Sequence, residues 1–160
     1  MGIVKKVIIA GHFGVGKTSL VRQFIYEKFS GQYLTTIGVK IDKKVVEIDG
    51  TKVKMILWDI AGESTTIKIP QKYMSGAQGL IYVFDMSREE TYENIETDMF
   101  EINKNMKTCP SIILGNKSDL MSPSEIIEIK QSVPVEFSVS SAKSGENVEE
   151  AFIELAYAML

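Results

Sequence analysis

Gly11-His12-Phe13-Gly14-Val15-Gly16-Lys17-Thr18 has the pattern G-x-x-x-x-G-K-[ST]. It stands between an apolar run, residues 3–10, and a segment in which Leu20, Val21, Phe24 and Ile25 recur at helical spacing. Strand, glycine-rich loop, helix is the context in which this pattern has a physical meaning. Glycines let successive backbone N–H groups curl around phosphate oxygens, and the helix N-terminus adds the positive end of its dipole. Lys17 is placed to reach the terminal phosphates, and the Thr18 hydroxyl suits a magnesium ligand. The stretch therefore reads as a polyphosphate cradle. His12 has no carboxylate or cysteine beside it in sequence and is expected to face solvent.

Downstream of the loop, residues 39–48 and 53–58 are β-branched and roughly alternating, and Asp49-Gly50 between them supplies the positive-φ chemistry of a tight hairpin turn. Residues 80–84, 111–114 and 135–139 are short apolar strand runs separated by helical segments. Tyr92, Ile95, Met99, Ile102 and Met106 step by three and four along one face, and Ser87 with Glu90 predicts a capping box ahead of them. Ser122, Pro123 and Glu125 supply a cap, a first-turn proline and an N3 acid for a shorter helix. Asn147 opens a last helix carrying Val148, Ala151, Phe152, Leu155 and Met159. Alternating strands and helices imply an α/β fold, a mostly parallel sheet covered on both faces, with ligands at the carboxyl ends of its strands.

A chain of 160 residues is one domain, spanning 1–160, and buries on the order of 70% of its unfolded surface. Hydrophobic residues make up 44% and charged residues 24%, which excludes disordered and collagenous classes. Eighteen Lys and Arg against 21 Asp and Glu leave a net charge of −3, with no basic excess for nucleic acid or anionic lipid. Cys109 is the only cysteine, so no intramolecular disulfide or cysteine metal cluster forms, and the thiol is expected to fill core space in a reducing cytoplasm. The apolar runs are strand length, too short to span a bilayer as a helix. Lys6 occupies the position where an acylation motif opening at Met1-Gly2 needs Ser or Thr, and Tyr157 stands where prenylation needs Cys. No lipid anchor is expected in the sequence given, and the chain is expected to be a cytoplasmic monomer.

Asn116-Lys117-Ser118-Asp119 directly follows the 111–114 run and so falls on the same rim as the phosphate loop. The Asp119 carboxylate is acceptor-only and matches the paired N1–H and 2-amino donors of guanine. Adenine offers an acceptor at N1 and no amino group at C2, so guanine is the expected base.

With these motifs in this order, the chain resembles the Ras-like small GTPases, with a Rab-like flavour, over essentially its whole length. The resemblance implies a P-loop NTPase G domain: a mostly parallel six-stranded sheet, one antiparallel strand from the hairpin, and helices on both faces. It implies GTP and GDP as ligands with Mg²⁺. The nucleotide-binding set it carries over is Phe13, Gly14, Val15, Gly16, Lys17, Thr18 and Ser19 in the loop, Phe29 edge-on beside the base, Tyr33, Thr36 and Gly62, Asn116, Lys117, Asp119 and Leu120, and Ser141-Ala142-Lys143. Within that set Asn116 and Asp119 read the base, the Lys117 stem packs across it, and the 141–143 segment offers a backbone N–H to the guanine carbonyl. Tyr33 and Thr36 fall in a first switch, residues 29–38, with Thr36 closing on Mg²⁺ and the γ-phosphate. Asp59, Gly62 and Glu63 fall in a second, residues 59–73. Thr18, Thr36 and Asp59 are then the metal set, and Lys17, Thr36, Gly62 and Glu63 the catalytic set. Asp59 suits a magnesium-bound water, and Gly62 lets backbone approach the γ-phosphate. Effector, exchange-factor and activating proteins are the implied partners.

Three positions depart from the family pattern. Glu63 stands where the family usually has Gln, and an ionised carboxylate cannot donate toward developing charge. Phe13 replaces a small residue and crowds the space an incoming arginine finger uses. Ile60 stands where Thr is common. The two arginines, Arg22 and Arg88, are expected to be solvated surface charges, which leaves no internal finger. Slow GTP hydrolysis is the expectation. The alternatives are a nucleotide-gated binding module with negligible hydrolysis and an ATP-using P-loop kinase, for which no arginine-rich lid segment is present. Ile37, Val39, Ile60, Ile67, Ile69 and Tyr73 are candidates for an apolar effector patch, or for core.

Overall fold

The computed structural model describes residues 2–30, 38–62 and 68–160. β1 (Ile3–Ala10) lies at the centre of one sheet, with β3 (Thr51–Ile60) on one side and β4 (Gly79–Asp85) on the other, both parallel to it. β5 (Ser111–Asn116) and β6 (Ser138–Val139) continue in parallel on the β4 side. β2 (Val39–Ile48) is antiparallel to β3, in register from Val39↔Ile60 to Ile48↔Thr51. The spatial order is β2-β3-β1-β4-β5-β6. Asp49 and Gly50 close the hairpin with φ of 48° and 79°, the sign that matches a two-residue turn to the strand twist.

The alternation of β1 divides two cores. Val7 and Ile9 face a cluster built with α1 (Lys17–Tyr26) and α5 (Val148–Ala158), where Phe24 stacks on Phe152 with ring centroids 4.1 Å apart. Ile8 and Ala10 face the opposite cluster under α2 (Gln71–Met74), α3 (Ile95–Lys104) and α4 (Pro123–Ser132), where Phe84 meets Tyr92 and Phe137. All seven β4 residues are buried because both faces are covered, which is why that run shows no alternation. Every parallel strand then delivers its carboxyl end to one rim, and β1 sends its following loop into the crevice between β3 and β4.

Several local expectations change. Ser87 and Glu90 form no capping box: Ser87 N–H and Oγ both donate to Asp85 Oδ1, at 2.9 and 2.6 Å. The nearer buried carboxylate takes the hydroxyl, a 3-10 turn covers Glu89–Thr91, and α3 starts only at Ile95 behind an Asn94 that makes no side-chain cap. Met106 lies past the helix but still packs in the cluster with Tyr92 and Met99. β6 keeps two of the five residues expected, Ser138–Val139, while Val135 and Phe137 before it pack into the cluster under α4. β3 is longer at both ends than the 53–58 run. Cys109 is half-buried rather than core, and burial raises its thiol pKa. Ser122 and Glu125 do form the reciprocal box that starts α4, at 3.2 and 3.0 Å, and those bonds hold the Glu125 carboxyl below its usual range. No helix among the described residues is long and apolar enough to cross a membrane.

Candidate functional site

The loop joining β1 to α1 exists as a cradle because its carbonyls are held outward. Lys17 Nζ donates to the Gly11 and His12 carbonyls, both at 3.1 Å. Lys117 Nζ donates to the Gly14 carbonyl at 2.9 Å, Asn116 Nδ2 to the Val15 carbonyl at 3.0 Å, and Leu20 N–H to the Gly16 carbonyl at 2.9 Å. With those oxygens held by protein donors, the loop has the arrangement in which backbone N–H groups and a helix N-terminus serve an anion at the start of α1. Lys17 is 6% exposed, and burial pushes its pKa down to about 8 against the opposing pull of Asp59. A polyphosphate beside it favours the ammonium form further.

Thr18 and Asp59 meet at the same rim, the hydroxyl donating to Asp59 Oδ2 at 2.5 Å. Asp59 ends β3 and is 1% exposed. Among the described residues no group of three or more His, Cys, Asp or Glu gathers to hold a metal. One hydroxyl and one carboxylate are the hard-oxygen, partly furnished set that Mg²⁺ takes when phosphates and waters complete it. Gly62, two residues past β3, packs against the His12–Phe13 peptide so closely that a Cβ there falls 2.6 Å from Phe13 N.

The 116–119 segment joins the loop directly. Asn116, 1% exposed, spends its side chain on protein: beyond the Val15 carbonyl, its Oδ1 accepts from Ala142 N–H and Ser140 Oγ, each at 3.2 Å. It therefore ties the phosphate loop, the β5 end and the 140–142 segment together. Lys117 adopts a left-handed backbone (φ 68°) and reaches both the Gly14 carbonyl and the fully buried Asp85, 2.9 Å from Oδ2. Asp119 is exposed at the rim, its Oδ1 accepting from buried Ser141 Oγ at 2.7 Å. Phe29, Leu120 and Lys143 are exposed and Ser19 is half-buried. Tyr33, Thr36, Ile37, Glu63 and Ile67 lie outside the described residues.

Two expectations are overturned. His12 does not face solvent: it is 4% exposed, and its Nε2 donates to Asp98 Oδ2 of α3 at 2.8 Å. Tyr82 OH donates to the same oxygen at 2.9 Å, and burial with the Asp98 charge raises the tyrosine pKa. Arg88 stays part-exposed, its side chain 38% so, but it is not a free surface charge. Its Nη1 donates to the Phe13 carbonyl at 3.1 Å and its Nε to Glu90 Oε1 at 3.1 Å, while Arg22 is half-buried.

The Ras family profile matches residues 6–160. The chain belongs to the Ras family. Ras-related protein Rab-13 of Canis lupus familiaris is 35% identical over 157 residues, covering 94% of this chain and 77% of that protein. Ras-related protein SEC4 of Saccharomyces cerevisiae is 35% identical over 158 residues, covering 96% and 74%. As a Ras-family chain with Rab-type relatives, it is a small GTP-binding protein of the GTPase class, and its mixed six-stranded sheet is the Ras-like P-loop fold. Four residues of this Ras-family site escaped sequence reasoning: Tyr82, Asp85, Arg88 and Asp98. A carboxylate ending the apolar 80–84 run, and another on the Ile95–Ile102 face of α3, were the available signals.

Proposed function

We propose that the chain is a guanine-nucleotide-operated switch: it binds GTP and GDP with Mg²⁺, hydrolyses GTP slowly, and offers the segments around 29–38 and 59–73 to effector proteins. The observation that carries this reading is the direct bonding of the 116–117 pair to the Gly14 and Val15 carbonyls, which puts a base-reading carboxylate two residues from the phosphate cradle's own supports. In this reading Lys17 and the loop N–H groups hold the phosphates, Asp119 takes the guanine N1–H and 2-amino donors, and the Ala142 region faces the guanine carbonyl. Thr18, Thr36 and Asp59 would hold Mg²⁺, which when bound would supply charge neutralisation to the phosphates. Thr36 and Gly62 engage the γ-phosphate, so its departure releases both segments.

Titrating the chain with GTP and with ATP, each with Mg²⁺, tests the base assignment. The expected result is tighter binding of GTP by about 100-fold or more; equal affinity overturns it. Hydrolysis is expected to be slow because Glu63 cannot donate while ionised and because Phe13, 44% exposed, crowds the space an incoming arginine finger uses. Single-turnover phosphate release checks this, with Glu63→Gln expected to accelerate it by about 10-fold and Phe13→Gly separating the two causes. A fast rate from the unmodified chain defeats the expectation. Chromatography of the nucleotide that co-purifies separates the second reading, a binding module with negligible hydrolysis, in which GTP rather than GDP predominates.

A further inference from the structure

From Gly11 to Gly16 each loop carbonyl has a donor, and five of the six fall to groups within the nucleotide motifs or to α1 itself. The Phe13 carbonyl is the exception. Its donor is Arg88 Nη1, from the turn after β4, 75 residues away in sequence and in no nucleotide motif. We infer that Arg88 is a positioning residue for the phosphate site, holding the Phe13–Gly14 peptide so that its N–H faces the bound nucleotide.

Three further features fit that role. The guanidinium has two carboxylate neighbours, with Nε donating to Glu90 Oε1 at 3.1 Å and Nη1 3.9 Å from Asp85 Oδ2. Asp85 is fully buried, and the same Oδ2 lies 2.9 Å from Lys117 Nζ, so one carboxylate anchors the two cations that hold the adjacent Phe13 and Gly14 carbonyls. Asp85 is itself pinned by Ser87, whose N–H and hydroxyl both serve its other oxygen. A cation donating to a carbonyl makes a charge-assisted hydrogen bond, stronger than a neutral one, and it polarises the peptide whose N–H the phosphate receives. The carbonyl is at the outer edge of the loop and the Arg88 side chain is 38% exposed, so the bond contributes to the shape of the loop rather than to the core.

The inference rests on the guanine-nucleotide reading, and the test separates the two. Release of a fluorescent GDP analogue from the Mg²⁺ complex is followed on adding excess GDP, for the unmodified chain, Arg88→Ala and Arg88→Lys. The melting temperature of each nucleotide-free protein is measured in parallel. Arg88→Ala is expected to release the analogue about 10-fold faster, with its nucleotide-free melting temperature unchanged and its GTP-over-ATP preference intact. Arg88→Lys, which keeps a charged donor within reach of the carbonyl, is expected to recover most of the slow release. An Arg88→Ala rate within twofold of the unmodified chain overturns the inference, as does an Arg88→Lys rate equal to that of Arg88→Ala. A clear fall in the nucleotide-free melting temperature of Arg88→Ala overturns it too, because the arginine is then structural. An unmodified chain that binds no GDP instead removes the guanine-nucleotide reading.

Discussion

Asp119→Asn is expected to weaken GTP binding by about 10³-fold while leaving the weaker ATP affinity nearly unchanged. The carboxylate presents two acceptor oxygens, and guanine presents two donors, N1–H and the 2-amino group, at matching spacing. Each bond to an ionised acceptor contributes about 1.5–3 kcal/mol. Asparagine keeps one acceptor but turns an amino group toward a guanine donor, so one bond is lost, one charge is removed and two donors oppose each other. Ser141 strengthens the expectation, because its buried hydroxyl bonds Asp119 Oδ1 at 2.7 Å and fixes the carboxylate before any ligand arrives. That bond uses one lone pair and leaves the remaining acceptor positions for the base. The measurement is a pair of calorimetric titrations, GTP and ATP with Mg²⁺, on the two proteins. A variant that keeps its guanine preference takes the base-reading role away from Asp119.

What was legible in the sequence was local. The phosphate loop, the Asp49-Gly50 turn and the Ser122–Glu125 box each close within a few residues, so spacing alone carries their geometry. The same logic misread Ser87 and Glu90, which have the right spacing, because a buried Asp85 two residues upstream competes for the hydroxyl. His12 finds Asp98 86 residues away, and Arg88, besides its near neighbours Asp85 and Glu90, reaches the Phe13 carbonyl 75 residues away, a contact that nothing beside it in the chain announces. The hints lay on the partners' side. Asp98 stands three residues after Ile95 and four before Ile102, on the buried stripe of α3, where an unpaired carboxylate is too costly to keep. A polar partner for it was required, and the phosphate loop supplies it through His12. Asn116 adds something that spacing does not carry: in the folded chain its amide bonds also join three loops.

Gly11→Ala is expected to destabilise the fold by roughly 4 kcal/mol, a large part of the total of about 5–15 kcal/mol that holds a domain together. Gly11 follows β1 with φ at +152°, and a Cβ there falls 2.2 Å from the Val83 carbonyl oxygen and 3.1 Å from Val15 Cγ2. Neither neighbour can retreat. Val83 is a fully buried residue in the middle of β4, whose backbone is fixed between β1 and β5, and Val15 is 0% exposed inside the loop. Relief requires β1 and β4 to part at the rim where the cradle begins, which adds lost packing to backbone strain. Gly50→Ala is the control. It also has a positive φ, +79°, but no atom lies within 4 Å of its added Cβ, so only the left-handed strain of about 1–2 kcal/mol is expected. Thermal unfolding of the two variants without nucleotide distinguishes the terms: a fall of about 8–16 °C for Gly11→Ala against about 2–8 °C for Gly50→Ala. Equal shifts mean that backbone conformation alone, and not the approach of β4 to the loop, sets the need for glycine at position 11.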